Sequence, residues 1–311
     1  MDGPNIAMYA GNPLGPGQVD INLQAAKSAG WTTVILSFVH ISDERSKKPD
    51  GSILFFNEDA FIEDQQVLPP FATWNTSLAQ LKQGGTISKL YMSIGGGSPV
   101  RDFATIQRIY RNNGNSFDRT PLLKNLVWLH NSFPAIDGID MDCEDVYDQP
   151  SFVAFCKLVH DIGFEITFCP WTKPDFWIGS LQQIRESTWG LNAVRWFNLQ
   201  SYAFSIDPPF PIPGIWADLI KKQMPGFNTD NFILAGAFAR YKSSPNSWDK
   251  ACPGQVEDTL KQFKQGGHNS VGGGFIWNMD GMLQTTSDPG GCNGIKTMKD
   301  YVAAIFEAME E

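Results

Sequence analysis

Charge is scarce in this chain. Its 311 residues include 18 % charged side chains, below the ~25 % usual for globular domains. The balance is 24 Lys and Arg against 33 Asp and Glu, a net charge of −9 at pH 7, with no long basic run. Nucleic acid and anionic membranes are therefore excluded as expected partners. No apolar stretch approaches the ~20 residues that cross a bilayer. The opening MDGPNIAMYAG has no basic segment followed by an apolar run, so no signal peptide is expected. Neither GxGxxG nor GxxxxGK(S/T) occurs, which leaves no phosphate-cradling loop, and no GxSxG supplies a serine elbow. The four histidines (His40, His130, His160, His268) are scattered without metal-ligand spacing. The expectation is no cofactor and no metal.

Cysteine is also sparse, with five in all. Cys143, Cys156 and Cys169 sit in apolar periodic segments and read as small buried hydrophobes. Cys252 and Cys292 lie in the Pro/Gly-rich stretches ACPG and GGCNG, where one surface disulfide and two separate thiols both stay open. What the chain has in abundance is aromatic surface: 10 Trp, 7 Tyr and 22 Phe, within 42 % hydrophobic residues. That content excludes disorder and fills a large core.

Strand-like and helix-like segments alternate from end to end. Short runs rich in Val, Ile and Phe and bounded by turn residues predict strands at 6–9, 33–40, 89–94, 136–141, 165–170, 196–202, 232–237 and 273–277. Helical periodicity predicts helices at 19–29, 76–83, 102–110, 122–131, 151–162, 178–186, 216–223, 255–265 and 295–306, with Thr76 and Ser151 as cap signals. Eight strands each followed by a helix predict an α/β fold, a (β/α)8 TIM barrel forming a single domain over 1–311. An open doubly wound sheet is the alternative, but it usually carries fewer strands and a glycine-rich first turn. The longest irregular stretch is 42–74, with Asp50-Gly51 as a hairpin turn before the apolar 53–56. It is either an active-site loop or a surface excursion.

The most informative segment is Ile136-Asp137-Gly138-Ile139-Asp140-Met141-Asp142-Cys143-Glu144. Strand side chains alternate faces, so Gly138, Asp140, Asp142 and Glu144 share one side, and Ile139, Met141 and Cys143 the other. Three carboxyls thus climb the barrel interior toward its carboxyl end. Adjacent buried acids raise at least one pKa, which makes a carboxyl a general acid near neutral pH. A divalent cation is the competing reading, since hard cations favour carboxylates. A solvated acidic strand fits poorly with Ile, Met and Cys on its other face.

D-G-x-D-x-D-x-E on the fourth strand resembles the signature of glycoside hydrolase family 18. Further matches fall in order: Tyr9-Ala10-Gly11-Asn12 on the first strand, Ser93-Ile94-Gly95-Gly96 closing the third, Gln200-Ser201-Tyr202 ending the sixth, and Trp277 on the eighth. The resemblance spans nearly the whole chain and points to a hevamine-type barrel. It implies retaining, substrate-assisted cleavage of β-1,4 bonds after N-acetylglucosamine, an exception to the two-carboxylate scheme. Glu144 then maps onto the general acid/base and Asp142 onto the group that holds the acetamido N–H. Asp140 maps onto a deeper partner sharing a proton with Asp142, and Tyr202 onto the hydroxyl that steadies the acetamido oxygen. Trp277 maps onto the floor of the sugar site, with Gln200, Tyr9 and Trp171 as further substrate-binding residues. Ser93, Gly95 and Gly96 shape the barrel beside the acids.

The pattern is broken twice. Ala203 stands where the family usually has Asn or Asp, and only about eighteen residues separate Ala237 from the next helix, too few for the α+β insertion of larger chitinases. A shallow, open groove suited to internal cleavage is expected. Trp74, Trp177, Trp216 and Trp248 are weaker candidates to extend it, whereas Trp31, Trp128, Trp189 and Trp196 are expected to pack the shell. The partner is thus chitin, a chitooligosaccharide or an N-acetylglucosamine-containing glycan, bound by a monomer. The alternatives are an endo-β-N-acetylglucosaminidase acting on N-glycan cores, which would use the same acids, and a catalytically silent lectin or inhibitor. The substrate implies an extracellular mature form, with a cytosolic role left open.

Overall fold

The computed structural model describes residues 3–11, 13–14, 19–97, 99–202, 211–239, 250–266, 269–285 and 292–310. In chain order the elements are β1 (Asn5–Ala10), α1 (Val19–Ala29), β2 (Thr33–Ile41), β3 (Ile53–Phe56), β4 (Asp59–Glu63), β5 (Gln66–Val67), a 3-10 turn (Pro69–Phe71) and α2 (Trp74–Leu81). There follow β6 (Lys89–Gly95), α3 (Asp102–Asn112), α4 (Pro121–Ser132), β7 (Gly138–Asp142), α5 (Gln149–Ile162), β8 (Glu165–Phe168) and α6 (Pro174–Glu186). The last third holds β9 (Val194–Leu199), α7 (Pro213–Gln223), β10 (Ile233–Ala239), β11 (Lys250–Ala251), α8 (Pro253–Gln265), β12 (Val271–Trp277), α9 (Met279–Thr285) and α10 (Met298–Glu310).

Eight parallel strands close on themselves in the order β1, β2, β6, β7, β8, β9, β10, β12 and back to β1. This is the expected (β/α)8 barrel, with helices outside. Side-chain alternation divides its apolar residues into two bodies. Outward residues such as Ile139, Met141 and Cys143 join the large core beneath the helices. Inward residues form a separate column of Ala7, Tyr9, Ile35, Tyr91, Cys169, Trp196, Leu234 and Phe275.

Several helices begin earlier than periodicity predicts. Pro121, Pro174, Pro213 and Pro253 open α4, α6, α7 and α8, because proline tolerates the first turn, where its missing N–H has no partner to lose. Thr120 caps α4 by accepting from Leu123 N (3.2 Å). Ser151 does not cap α5: it lies in the first turn, and Asp148 accepts its N–H at 3.2 Å. Thr76 likewise lies inside α2, which starts at Trp74. Helix α10 starts later than predicted, where the Asp300 carboxylate accepts Thr297 N and Oγ1 (2.6 and 2.8 Å), leaving Ile295 exposed.

The stretch at 42–74 is not irregular. β3 pairs antiparallel with β2 beyond the barrel rim, and β4 and β5 extend this ribbon. Gly51, at φ +75°, closes the first connection by donating its N–H to Ser42 O (2.8 Å). Phe56 and Phe61 of the ribbon pack with Phe71 and Trp74, which anchors it to the barrel flank. Cys252 and Cys292 are bridged (Cα–Cα 5.6 Å), and Cys143, Cys156 and Cys169 are buried free thiols. Among the described residues no helix is long and apolar enough to cross a membrane.

Candidate active site

Register places Ser93 of β6, Asp140 of β7 and Thr167 of β8 at one level of the barrel. Asp140 is fully buried there and accepts four hydrogen bonds: from Tyr9 Oη (2.9 Å), Ser93 Oγ (2.7 Å), Thr167 Oγ1 (2.7 Å) and Asn198 Nδ2 (2.9 Å). Burial pushes the Asp140 carboxyl up, and the four neutral donors work against that push.

Asp142 and Glu144 stand above it. Gln200 Nε2 donates to Asp142 Oδ1 (3.1 Å) and to Glu144 Oε1 (3.0 Å), and its Oε1 accepts from Tyr202 Oη (3.3 Å). Burial pushes Asp142 well up, and repulsion from Glu144 and Asp140 adds to it. Burial also lifts Glu144, against the hydrogen bonds it accepts from Gln200 and Asp142, while Asp145 repels it further. Of the two, Asp142 is pushed up the more strongly. No Lys, Arg or His among the described residues makes an ion pair with these three acids. Also among the described residues, no group of three or more His, Cys, Asp or Glu is arranged to hold a metal ion.

Two glycines make room for this geometry. Gly138 faces the Tyr91 ring and Glu165 O, and any Cβ would collide with both. Gly95, at φ +114°, turns the chain against Asp142, whose carbonyl a Cβ would strike. Gly96 N then donates to that carbonyl (2.8 Å). Asp145 accepts Ala104 N (2.9 Å), tying the loop that carries Glu144 to the first turn of α3.

The half-buried Trp277 ring lies 5.4 Å from Tyr9 and 5.4 Å from Phe38. The peptides between Ser37 and Phe38 and between Trp277 and Asn278 are cis. Tyr202 is half-buried against Phe238 and Phe275. Tyr147 Oη lies 3.3 Å from Thr172 Oγ1, and burial pushes its phenol up to about 12.

The fold thus gathers Tyr9, Asp140, Asp142, Glu144, Gln200, Tyr202 and Trp277. Half-buried Trp171 follows β8 at the same end, two residues beyond Cys169, whose carbonyl faces Gln200 Nε2 (3.5 Å). Some roles differ from expectation. Tyr9 is 1 % exposed and serves Asp140 from below, so it does not touch substrate. Gln200 is buried and braces the acids. Asp140 accepts from four neutral donors, and the side-chain donor to Asp142 is Gln200. Trp74, Trp177 and Trp216 are buried in the shell and cannot extend a groove, because their rings pack inward on phenylalanines. Trp128 is 40 % exposed, and Trp196 sits inside the barrel, its indole donating to Asn198 (2.9 Å). Ala203, Asn12, Trp248 and His268 lie outside the described residues. Thr167 and Asn198 went unread, although each is a polar residue at an inward position of an apolar strand. A cleft of about 590 Å3 opens at the opposite end of the barrel around Trp196 and Asn231, away from the acids.

No protein-family model and no curated protein matches the sequence. Solved structures do match in shape. A class V chitinase from Nicotiana tobaccum aligns over 97 % of this chain and 98 % of its own, at 11 % identity and TM-score 0.58. The chitinase-like agglutinin of Robinia pseudoacacia aligns over 97 % and 99 %, at 12 % and 0.57. A GH18 chitinase from Cycas revoluta, a mutant in complex with (GlcNAc)4, aligns over 96 % and 98 %, at 10 % and 0.54. At such identity the likeness establishes the fold, shared by chitinases and chitinase-like lectins alike.

Proposed function

We propose that this chain is a glycosidase of the family 18 type that cleaves β-1,4-linked N-acetylglucosamine polymers with retention. The observation that carries the reading is the pair of buried Asp142 and half-buried Glu144, braced by the Gln200 amide and without a cation partner among the described residues, an environment that pushes the pair toward keeping a proton between them. When an acetamido N–H donates to Asp142, that proton is released to Glu144. Glu144 delivers it to the glycosidic oxygen as the bond to the anomeric carbon breaks and the acetamido oxygen bonds to that carbon. The resulting oxazolinium cation is stabilised by Asp142, now ionised. Water then attacks the anomeric carbon as its bond to the acetamido oxygen breaks, Glu144 takes the proton from that water, and the proton passes back to Asp142 as the product leaves, which restores the starting state. Tyr202 is placed to steady the acetamido oxygen, and Trp277 offers an indole face to the apolar side of the sugar. A fold neighbour holding (GlcNAc)4 supports the ligand class. Intact Asp140, Asp142 and Glu144 favour an enzyme over a silent lectin. The Cys252–Cys292 bridge supports an oxidising, extracellular setting.

Product analysis on colloidal chitin, chitooligosaccharides and a high-mannose glycopeptide tests the reading. Release of oligomers from the first two, lost in Glu144→Gln while binding persists, is the expected result. Cleavage of the glycopeptide alone selects the endo-glycosidase. Binding without cleavage by the unaltered protein selects the lectin.

A further inference from the structure

The first turn of α3 is short of acceptors. Its opening N–H groups have no carbonyl one turn earlier to meet, and the first helical bond runs from Thr105 N to Arg101 O (3.0 Å). A helix usually solves this with Ser, Thr, Asp or Asn at the residue before it. Here that residue is Arg101, whose guanidinium only donates, and it makes no side-chain cap. Asp102, the acid in the first turn, is buried and engaged elsewhere. One of its oxygens lies 2.7 Å from His40 Nδ1, and the other accepts Ile41 N (2.7 Å). The Ala104 N–H is met from outside the helix instead, by the Asp145 carboxylate at 2.9 Å.

Asp145 directly follows Glu144, so this cap is also a tether on the acid. A carboxylate is favoured at a helix N-terminus by the partial positive charge there. The arginines of α3 do not compete for it: Arg101 pairs with Glu44 (3.4 Å), Arg108 with Asp50 (2.5 Å) and Arg111 with Asp148 (2.7 Å). The anchor itself is firm. Asp102 locks the start of α3 to the rim of β2, and the buried Phe103 packs against Phe152 of α5 at 5.7 Å. On the other side of Glu144, Asp142 O accepts Gly96 N (2.8 Å), and Cys143 Sγ donates to Val146 O (3.2 Å). Gln200 braces one oxygen of Glu144 (3.0 Å), and the backbone held at these points sets where the side chain starts from.

We infer that Asp145 is a positioning residue for Glu144: by closing the N-terminus of α3 it holds the acid's stretch of backbone in place for proton transfer. The inference rests on the glycosidase reading above. The charge of Asp145 has a second effect. The titratable groups around Glu144 are Asp142, Cys143, Asp145 and Tyr147 on its own stretch, Cys169 after β8 and Tyr202 after β9. No Lys, Arg or His among the described residues pairs with Glu144. Asp145 repels the ionised form of Glu144, so removing its charge lets Glu144 ionise at lower pH.

Steady-state kinetics on the N-acetylglucosamine hexamer across pH, with Asp145→Ala and Asp145→Asn, test this. Asparagine keeps a carbonyl oxygen for Ala104 N and drops the charge, whereas alanine drops both. Asp145→Ala should lower kcat at least about tenfold with KM within about twofold, because a misplaced catalytic group costs rate more than binding. Asp145→Asn should bring kcat back to within about threefold of the parent. In both variants the alkaline limb of the kcat profile should move to lower pH, the sign for a proton donor that has lost a repelling neighbour. Parent-like kcat in Asp145→Ala, whatever its melting temperature, leaves Asp145 a helix cap and overturns the inference. So does a loss in Asp145→Asn as large as in Asp145→Ala, which makes the charge and not the hydrogen bond the cause. Should Asp145→Ala not fold, Asp145→Glu decides. It keeps charge and acceptor but shifts the tether by a methylene, and should cost about threefold or more in kcat; parent-like kcat there overturns the inference. An unaltered protein that hydrolyses neither chitin, the hexamer nor the glycopeptide removes the glycosidase reading, and the positioning role with it.

Discussion

The two ends of the barrel interior treat inward-facing carboxylates in opposite ways. At the amino end, Glu165 receives Tyr91 Oη (2.5 Å) and Lys89 Nζ (2.8 Å), with Arg195 at 4.0 Å. Burial pushes Glu165 up, yet these donors and cations win and hold it below the ordinary glutamate range. At the carboxyl end, Asp142 and Glu144 have an amide and each other, and both are held above their ordinary ranges. Strand parity turns carboxylates inward at both ends, and among the described residues only the amino end sets cations beside them. The carboxylate facing Lys89 is pushed toward its ionised form, whereas those facing Gln200 are pushed toward keeping a proton.

One substitution should erase this contrast. Gln200→Lys places an ammonium between Asp142 and Glu144 and ionises both, so hydrolysis of chitooligosaccharides should fall by about 10²–10⁴-fold, the usual worth of a general acid. Near-normal turnover in that variant would remove the proton-holding role of the pair. Asp142→Asn mimics the protonated acid. A carboxyl raised in the folded state gives stability that is present below about pH 4 and lost as pH rises through its folded value. The variant should therefore match the parent in acid and exceed it at pH 7 by about 1–2 kcal/mol, while losing activity. Urea denaturation at the two pH values reads this directly. Glu165→Gln should behave in reverse. A depressed carboxyl stabilises above its unfolded value and loses that stability as pH falls through the folded one, so the variant should cost about 1 kcal/mol at pH 7 and nothing near pH 2. Its effect on kcat should stay within about twofold, as the barrel separates it from the acids. The smallest effect is expected for Tyr147→Phe, a change of a few-fold in KM at most, since Thr172 is its sole hydrogen-bond partner among the described residues.

Much of this was legible beforehand, for reasons that differ by residue. The eight barrel strands show as short β-branched runs, and parity alone aimed Asp140, Asp142 and Glu144 inward. Parity says which way a side chain points but not what waits there. Tyr9 looked like a sugar contact because its hydroxyl partner lies 131 residues away and is delivered only by barrel closure. Trp177 and Trp216 sit next to loops in sequence, yet helix orientation turns them onto Phe152 and Phe197. The ribbon at 53–67 was half-seen: Asp50-Gly51 marked one connection, but the tight turn at Asn57 carries a weaker signal, with Asn rather than Gly at φ +52°. His40 gave no hint of its pairing, because Asp102 reaches strand β2 from the start of α3, 62 residues away.

The seam between β1 and β12 has a consequence in time. Asn5 pairs with Gly273 and Met8 with Ile276, so β1 needs a strand about 270 residues further along the chain to complete its hydrogen bonds. At ribosomal speeds of about 5–20 residues per second, that is a wait on the order of tens of seconds. Throughout it, β1 offers one open edge of unpaired N–H and C=O groups, flanked by apolar side chains, to any neighbouring chain. The burden of keeping the nascent chain monodisperse therefore falls on β1, and a defect in β12 should surface as aggregation through its open edge.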